Sequence, residues 1–312
     1  MRILVTGGAG FIGSNVADRF LALGHDVAVL DNLSTGRREN LDSRIRLYEA
    51  DLIEPQAVDQ VVQDFRPEVV DHHAAQIDVR HSVDHPEFDA KTNILGGIGL
   101  LEACVRHGVR KLIYASTGGA LYGEGRQLPV TEDHPAHPES PYGVSKLTVE
   151  HYVYVFRLLH RLDATVLRYP NVFGPRQNPH GEAGVNAIFI GLMCEGKAPT
   201  IFGDGEAVRD YLYVDDVVRA NEFALTKGSG ETVNLGWGEG VSVNDIVRSL
   251  KTILKFPGDA IHAPARAGEV QRIYLDASRA KAVLGWTPQV SFEEGLRRTV
   301  AWYQGERAAG RR

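Results

Sequence analysis

Cysteine and methionine are scarce in this chain, with two of each among 312 residues. Cys104 and Cys194 cannot build a disulfide framework, so a reduced, cytoplasmic compartment is the expectation. Both lie in apolar helical patterns and read as packing residues. Neither sign of charge dominates: 34 Lys and Arg stand against 40 Asp and Glu, and a net −6 offers nucleic acid no basic field. No apolar run approaches the ~20 residues that a membrane span needs. A strand-like segment follows Met1-Arg2 at once, which leaves no room for a signal peptide and makes a soluble intracellular protein the expectation. What remains is ordinary. Apolar residues make up 43% and charged residues 24%, in a chain long enough for one large α/β domain or two intimate ones.

The order of segments gives the fold class. Short apolar runs at Ile3–Val5, Asp26–Leu30, Arg44–Tyr48, Glu68–Asp71 and Lys111–Ala115 alternate with helical patterns to about Leu23, over Pro55–Phe65, and in one long stretch to about His107. Strands that are nearly continuous apolar runs, separated by helices, predict a doubly wound parallel sheet of Rossmann type. Beyond about residue 170 turn residues accumulate, with helical patterns at about 184–195, 214–226, 242–254 and 291–304. The expectation is a dinucleotide domain over 1–170, with later segments interleaved, and a smaller substrate lobe over 171–312. Arg307–Arg312 reads as a frayed tail.

The glycine-rich segment after the first strand fits two spacings at once: Gly8-x-Gly10-x-x-Gly13 and Gly7-x-x-Gly10-x-x-Gly13. One glycine permits the tight turn, one lets backbone approach a pyrophosphate, and Gly13 lets helix and strand close up. Alone the motif is weak. Here it opens a helix and is followed by Asp31 at the end of the second strand, which points to dinucleotide binding. A carboxylate at Asp31 accepts hydrogen bonds from ribose hydroxyls and repels a 2′-phosphate, so NAD is favoured over NADP, although Arg37 and Arg38 lie close by in sequence.

Tyr142-x-x-x-Lys146 opens a helix that runs to about His160, and the i, i+4 spacing puts both side chains on one face. Taken alone such a pair is usually ordinary amphipathic packing. Behind a dinucleotide motif it reads as a general base with its modulator, because a neighbouring ammonium and an oxidised nicotinamide favour the phenolate of a group whose ordinary pKa is ~10. Ala115-Ser116-Thr117 at the end of the fifth strand offers a hydroxyl to the same substrate alcohol.

Together with Asp31-Asn32-Leu33-Ser34-Thr35-Gly36, Arg168–Arg176 and Val208-Arg209-Asp210-Tyr211, these blocks resemble the extended short-chain dehydrogenase/reductase family over almost the whole chain. Within it the sequence is most similar to the UDP-glucose 4-epimerases. The resemblance implies a NAD site lined by Phe11, Ile12, Asp31 to Gly36, Asp51, Leu52, His73, Ala74, Ala75 and Gln76, with Thr92 or Asn93 adding a contact. It implies a UDP-sugar site formed by Asn171, Val185, Asn186, Thr200, Ile201, Phe202, Arg209 and Arg266 to Glu269, with Ile273 near the position that gates N-acetylated sugars. It also implies a homodimer built as a four-helix bundle from about 82–107 and 141–161. No metal enters this scheme.

The implied reaction is epimerisation at C4 of a UDP-hexose. Tyr142 takes the 4-hydroxyl proton as hydride leaves C4, Thr117 binds the same oxygen, and Lys146 steadies phenolate and nicotinamide ribose. The 4-keto sugar turns over and takes hydride back on its other face. The chain departs from the family pattern at three places. Ile77 stands where a lysine is common. The Ser116–Gly123 segment is one residue longer, so counting from its two ends puts either Thr117 or Gly118 at the catalytic hydroxyl, and only threonine has one. Ile273 has a bulk that does not fix the sugar. The rivals are 4-epimerases of UDP-glucuronate or UDP-N-acetylhexosamines, a 4,6-dehydratase or decarboxylase, and a non-catalytic NAD sensor. Gly118 and Gly119 argue against the dehydratase, which places an acid just after the threonine; the intact tyrosine and lysine argue against the sensor.

Overall fold

The computed structural model describes residues 1–179, 184–265 and 270–310. In its first half β1 (Arg2–Thr6) leads to α1 (Phe11–Ala22), β2 (Asp26–Asp31), β3 (Arg46–Glu49), α2 (Pro55–Phe65) and β4 (Val69–His72). Then come α3 (Val79–Asp84), α4 (Pro86–Ala90), a π-helical turn over Lys91–Leu95, α5 (Gly96–Arg106), β5 (Lys111–Thr117) and α6 (Pro141–His160). The sequence pattern predicts one long helical stretch to about His107 with Pro86 near its start; helical backbone does run from Pro86 to Arg106, and the break ahead of Pro86 has a cause. Proline disfavours helical geometry in the residue before it, and His85, ahead of Pro86, sits at φ −135°, ψ 62°. α6 begins cleanly because Ser140 accepts the Gly143 N–H and Pro141 presets the first turn.

The second half runs through β6 (Asp163–Tyr169), β7 (Asn171–Phe173), α7 (Val185–Cys194), β8 (Thr200–Phe202), β9 (Val208–Arg209) and β10 (Tyr211–Tyr213). It continues with α8 (Val214–Ala224), β11 (Thr232–Asn234), β12 (Val241–Ser242), α9 (Val243–Leu254), β13 (Ile261–Ala263), β14 (Arg272–Ile273), α10 (Ser278–Leu284) and α11 (Phe292–Ala308). α11 therefore takes up Arg307 and Ala308, which the sequence assigns to a frayed tail.

Seven strands form one parallel sheet in the order β11-β6-β5-β4-β1-β2-β3. Chain order reverses between β1 and β4, and ligands of such sheets bind at the carboxyl ends of the strands around this point. α1 and α8 cover one face; α2, α5 and α6 cover the other. Strands enclosed on both sides need no polar face, which is why β1 and β5 carry the apolar runs Ile3–Val5 and Leu112–Ala115 at their centres. β6 and β11 extend the five strands that the sequence pattern marks. β11 is three residues long, too short for any periodicity, and comes from beyond residue 170. The remaining strands form three small sheets, β10-β7, β12-β9-β14 and β13-β8. Both cysteines are free, and among the described residues no helix is long and apolar enough to cross a membrane.

Candidate active site

The loop from β1 to α1 is shaped by what glycine leaves out. Gly7 has φ +65°, and a Cβ there would lie 2.6 Å from the Ala74 nitrogen; a Cβ on Gly13 would lie 2.4 Å from the Gly7 carbonyl oxygen. These are backbone collisions that no side-chain movement relieves. The turn is held by Gly7 N–H donating to Leu30 O and Gly10 N–H to Gly7 O. α1 carries neither a side-chain cap nor an acid in its first turn, so its leading N–H groups are left for an anion. Phe11 and Ile12 form that first turn.

Asp31 ends β2 almost enclosed. One carboxylate oxygen accepts Ala9 N–H at 2.9 Å and the other Leu33 N–H at 2.8 Å, so the acid ties the glycine turn to the segment Asn32–Gly36. Asn32 accepts from Ser34 and donates to Asp51, joining the ends of β2 and β3. Leu33 takes a left-handed conformation, Thr35 lies in the same turn, and Gly36 is packed so closely that a Cβ would sit 2.8 Å from Asp31. Leu52 is buried under α5. Arg38, one of two arginines that could greet a 2′-phosphate, pairs instead with Glu49 at the surface.

The segment after β4 closes the other side of the turn. His73 N–H donates to Thr6 O, and Ala74 N–H to Thr6 Oγ1. Ala75 follows, and Gln76 is clasped by Asn93, which accepts its backbone N–H and donates to its carbonyl. Asn93 thus braces the loop, while the neighbouring Thr92 hydroxyl is buried without a partner. Ile77 is 58% exposed and belongs to the surface.

Tyr142 and Lys146 lie on one face of α6, with the ammonium 6.0 Å from the phenol ring centre. Lys146 is buried, its Nζ donating to Ala115 O at the end of β5 and lying over the Tyr114 ring. Burial brings its pKa down to about 8, against the opposing charges of Asp89 and Glu150. Burial also pushes the Tyr142 phenol above its ordinary value, and the Asp89 carboxylate pushes it further. The neighbouring lysine does not offset these two effects.

Thr117 is the last residue of β5, opposite Tyr169 of β6. Its Oγ1 accepts Ala120 N–H at 3.2 Å, which leaves the hydroxyl proton to donate elsewhere. The turn beyond it packs on α6 so tightly that a Cβ on Gly143 would lie 2.4 Å from Ala120 O. A Cβ on Gly118 would lie 2.3 Å from the Leu275 side chain, and one on Gly119 would lie 3.3 Å from Asn171 Oδ1. A chain of neighbours then leads into the second half. Asn171 N–H donates to Asp210 O, and Arg209 is registered with Ile273 in the small β14–β9 pair. Ile273 is buried with Leu121, Tyr122, Val130 and Leu275. Val185 and Asn186 open α7, where Asn186 is buried with its Oδ1 unpartnered; Thr200, Ile201 and Phe202 form β8, with Phe202 exposed. Arg266 and Glu269 lie outside the described residues.

Two braces escape a reading of motifs. Glu150, one turn beyond Lys146, accepts Ser116 Oγ and a bidentate guanidinium fork from Arg168 at 3.0 and 2.6 Å, and Arg168 also donates to Tyr122. Its spacing of four from Lys146 was the available signal. Asp210 is buried and accepts N–H groups of Trp237, Gly238 and Leu275; burial raises its carboxyl to about 6. Asp210 stands inside the Val208–Tyr211 block, yet nothing in that block announces its role as a brace.

Residues 3–236 match the family described as the NAD dependent epimerase/dehydratase family. The structure resembles a UDP-glucose 4-epimerase of Thermotoga maritima solved with UDP-glucose, at TM-score 0.96 and 49% identity, covering 98% of this chain and 99% of that one. It also resembles a UDP-glucose 4-epimerase of Thermus thermophilus in complex with NAD, at TM-score 0.94 and 44% identity, covering 98% and 99%. A UDP-glucose 4-epimerase of Mycolicibacterium smegmatis is 43% identical over 312 residues, covering 98% of this chain and 99% of its own.

Proposed function

This chain belongs to the NAD dependent epimerase/dehydratase family, and on that premise we propose that it interconverts UDP-glucose and UDP-galactose. The observation that carries the reading is the meeting of three parts: a glycine cradle closed by Asp31, a tyrosine and a buried lysine on one helix face, and a threonine turn packed against that helix. The residues fit a dinucleotide. Gly7, Gly10 and Gly13 leave room that a Cβ would fill, the uncapped α1 start suits a pyrophosphate, and Asp31 suits a ribose diol. When bound, oxidised NAD supplies the hydride acceptor, returns that hydride, and adds positive charge beside Tyr142.

Tyr142 then takes the proton of the sugar 4-hydroxyl and gives it back in the return step. Lys146 holds the phenolate by its charge, and Thr117 donates its free hydroxyl proton to the sugar oxygen. Asn171, Asn186, Phe202 and Arg209 grip the UDP, whose remote binding positions the reacting ring while the keto sugar turns over. Gly118 and Gly119 offer no acid to eliminate water, which favours epimerase over dehydratase. Incubation with UDP-galactose is expected to yield UDP-glucose, and Tyr142→Phe to lower kcat by about 10³-fold with NAD still bound. Turnover of UDP-glucuronate or UDP-N-acetylglucosamine in preference to UDP-galactose would move the substrate assignment; a near-normal Tyr142→Phe would end the mechanism.

The reading includes a cytoplasmic homodimer. Val144, Tyr152, Val155, Leu158 and Leu159 stand exposed along one stripe of α6, beside exposed Phe88 and Leu95 on the α4–α5 segment. A contiguous apolar face of this kind marks an interface, and two helices from each copy would close as a four-helix bundle. Light scattering is expected to give twice the chain mass, and Leu159→Glu the single mass; a monomeric native protein would refute this part.

A further inference from the structure

One buried charge beside the catalytic helix has no part in the scheme above. Asp89 of α4 is wholly enclosed. Its Oδ2 accepts from Ser145 Oγ at 2.5 Å, and its Oδ1 from Gln76 Nε2 and Asn93 Nδ2 at 3.0 Å each. Ser145 lies between Tyr142 and Lys146 in sequence, while Gln76 and Asn93 belong to the loop that closes the cradle. All three donors are neutral, so the carboxylate is solvated but not cancelled. A brace alone would not need the charge. An asparagine could accept from Gln76 and Asn93 through its oxygen and donate to a rotated Ser145 hydroxyl, avoiding the cost of desolvating a carboxylate.

We propose that Asp89 is a positioning residue that sets the pH at which Tyr142 and Lys146 work, through a buried negative charge one hydrogen bond from the helix that carries both. The surroundings do not cancel that charge. On α6 the Glu150 carboxylate also favours the Lys146 ammonium, and it is itself paired with Arg168 of β6. Tyr114 of β5 is held neutral by burial, as is His72 of β4, whose pKa falls to about 3. α3 contributes His81, and the π-helical turn the exposed Lys91. Asp89 is the charge that opposes ionisation of Tyr142, and it also favours the ammonium of Lys146.

The sign follows. Removing the charge makes both groups release their protons more readily, so both limbs of a bell-shaped kcat profile move to lower pH, by about one unit. A purely structural part would lower the rate evenly and leave the limbs in place. The experiment compares kcat profiles of native protein, Asp89→Asn and Ser145→Ala, the last keeping the charge but losing a hydrogen bond; Asp89→Leu replaces the amide variant if that fails to fold. Both limbs are expected to shift in the neutral variants and to stay in Ser145→Ala. Equal shifts in Asp89→Asn and Ser145→Ala, or none in either, overturn the proposal. Because it rests on the epimerase reading, ultraviolet difference titration of tyrosinate in the NAD-loaded protein, with Tyr142→Phe as the blank, provides a readout without turnover. Tyr142 is expected to ionise at lower pH in Asp89→Asn, and an unchanged midpoint overturns the role of Asp89. A shifted midpoint in a protein that epimerises no UDP-sugar would instead refute the reaction and leave the role of Asp89 standing.

Discussion

The two sides of the site are built on opposite principles. The cradle at residues 7–13 is made of backbone: its shape comes from missing side chains, and its attraction for an anion from unpaired N–H groups. The strip that runs from the half-buried phenol of Tyr142 through Lys146 to Glu150 and Arg168 holds three buried charges. The first is a steric device with little pH dependence. The second holds desolvated groups ready for proton transfer at a cost in stability, as active sites commonly do. Interference with the two should therefore look different.

The largest effect is expected at the point of closest approach in the cradle. Gly13→Val drives atoms into the Gly7 carbonyl and the Gly8 backbone, and should cost about 3 kcal/mol of stability and abolish NAD retention. Chemical denaturation at two pH values checks both the loss and its indifference to pH; a loss that grows with pH would break the contrast. Next comes Lys146→Met, where stability should rise while turnover disappears. The lysine has a pKa of about 8 when folded against 10.5 free, a gap worth roughly 3 kcal/mol. The unfolded chain holds the extra proton between those values, so native stability climbs from pH 8 to 10.5, and below 8 the whole burial penalty is present. Methionine removes the penalty but forfeits a hydrogen bond to Ala115 O worth roughly 1 kcal/mol, leaving a gain of about 2 kcal/mol at pH 7 and no climb above pH 8. A destabilised variant at pH 7 would show that the strip is not strained by its charges. The smallest effect sharpens the steric side. Gly10 has an ordinary φ of −78°, and a Cβ there would lie 3.2 Å from Gly7 O. Gly10→Ala should therefore cost the apo protein about 0.5 kcal/mol, within the usual range for a tolerated substitution, while weakening NAD retention more than melting shows.

How much could be read in advance depended on whether a part is local. The glycine turn, Asp31 at the end of β2 and the shared helix face of Tyr142 and Lys146 are each set by a few consecutive residues, so their local geometry followed from spacing and order. The helix over Pro55–Phe65 and the strands β1, β2 and β4 were legible for the same reason. The proposed substrate side came only by resemblance, because Asn171, Asn186, Phe202, Arg209 and Ile273 stand on separate elements. Asp89 illustrates the limit. In sequence it is an acid in a polar helix turn next to Phe88, and nothing there shows that one points inward and the other out.

The sequence by itself determined the class of sheet, the shape of the glycine turn and the placing of Tyr142 and Lys146 on one helix face, because backbone sterics and the helical repeat act over a handful of positions. Only the tertiary structure decided that β11 completes the sheet from the far half of the chain, and which carboxylates are buried. Burial and electrostatic field are sums over neighbours distant in sequence, and those neighbours are assembled only when the chain folds.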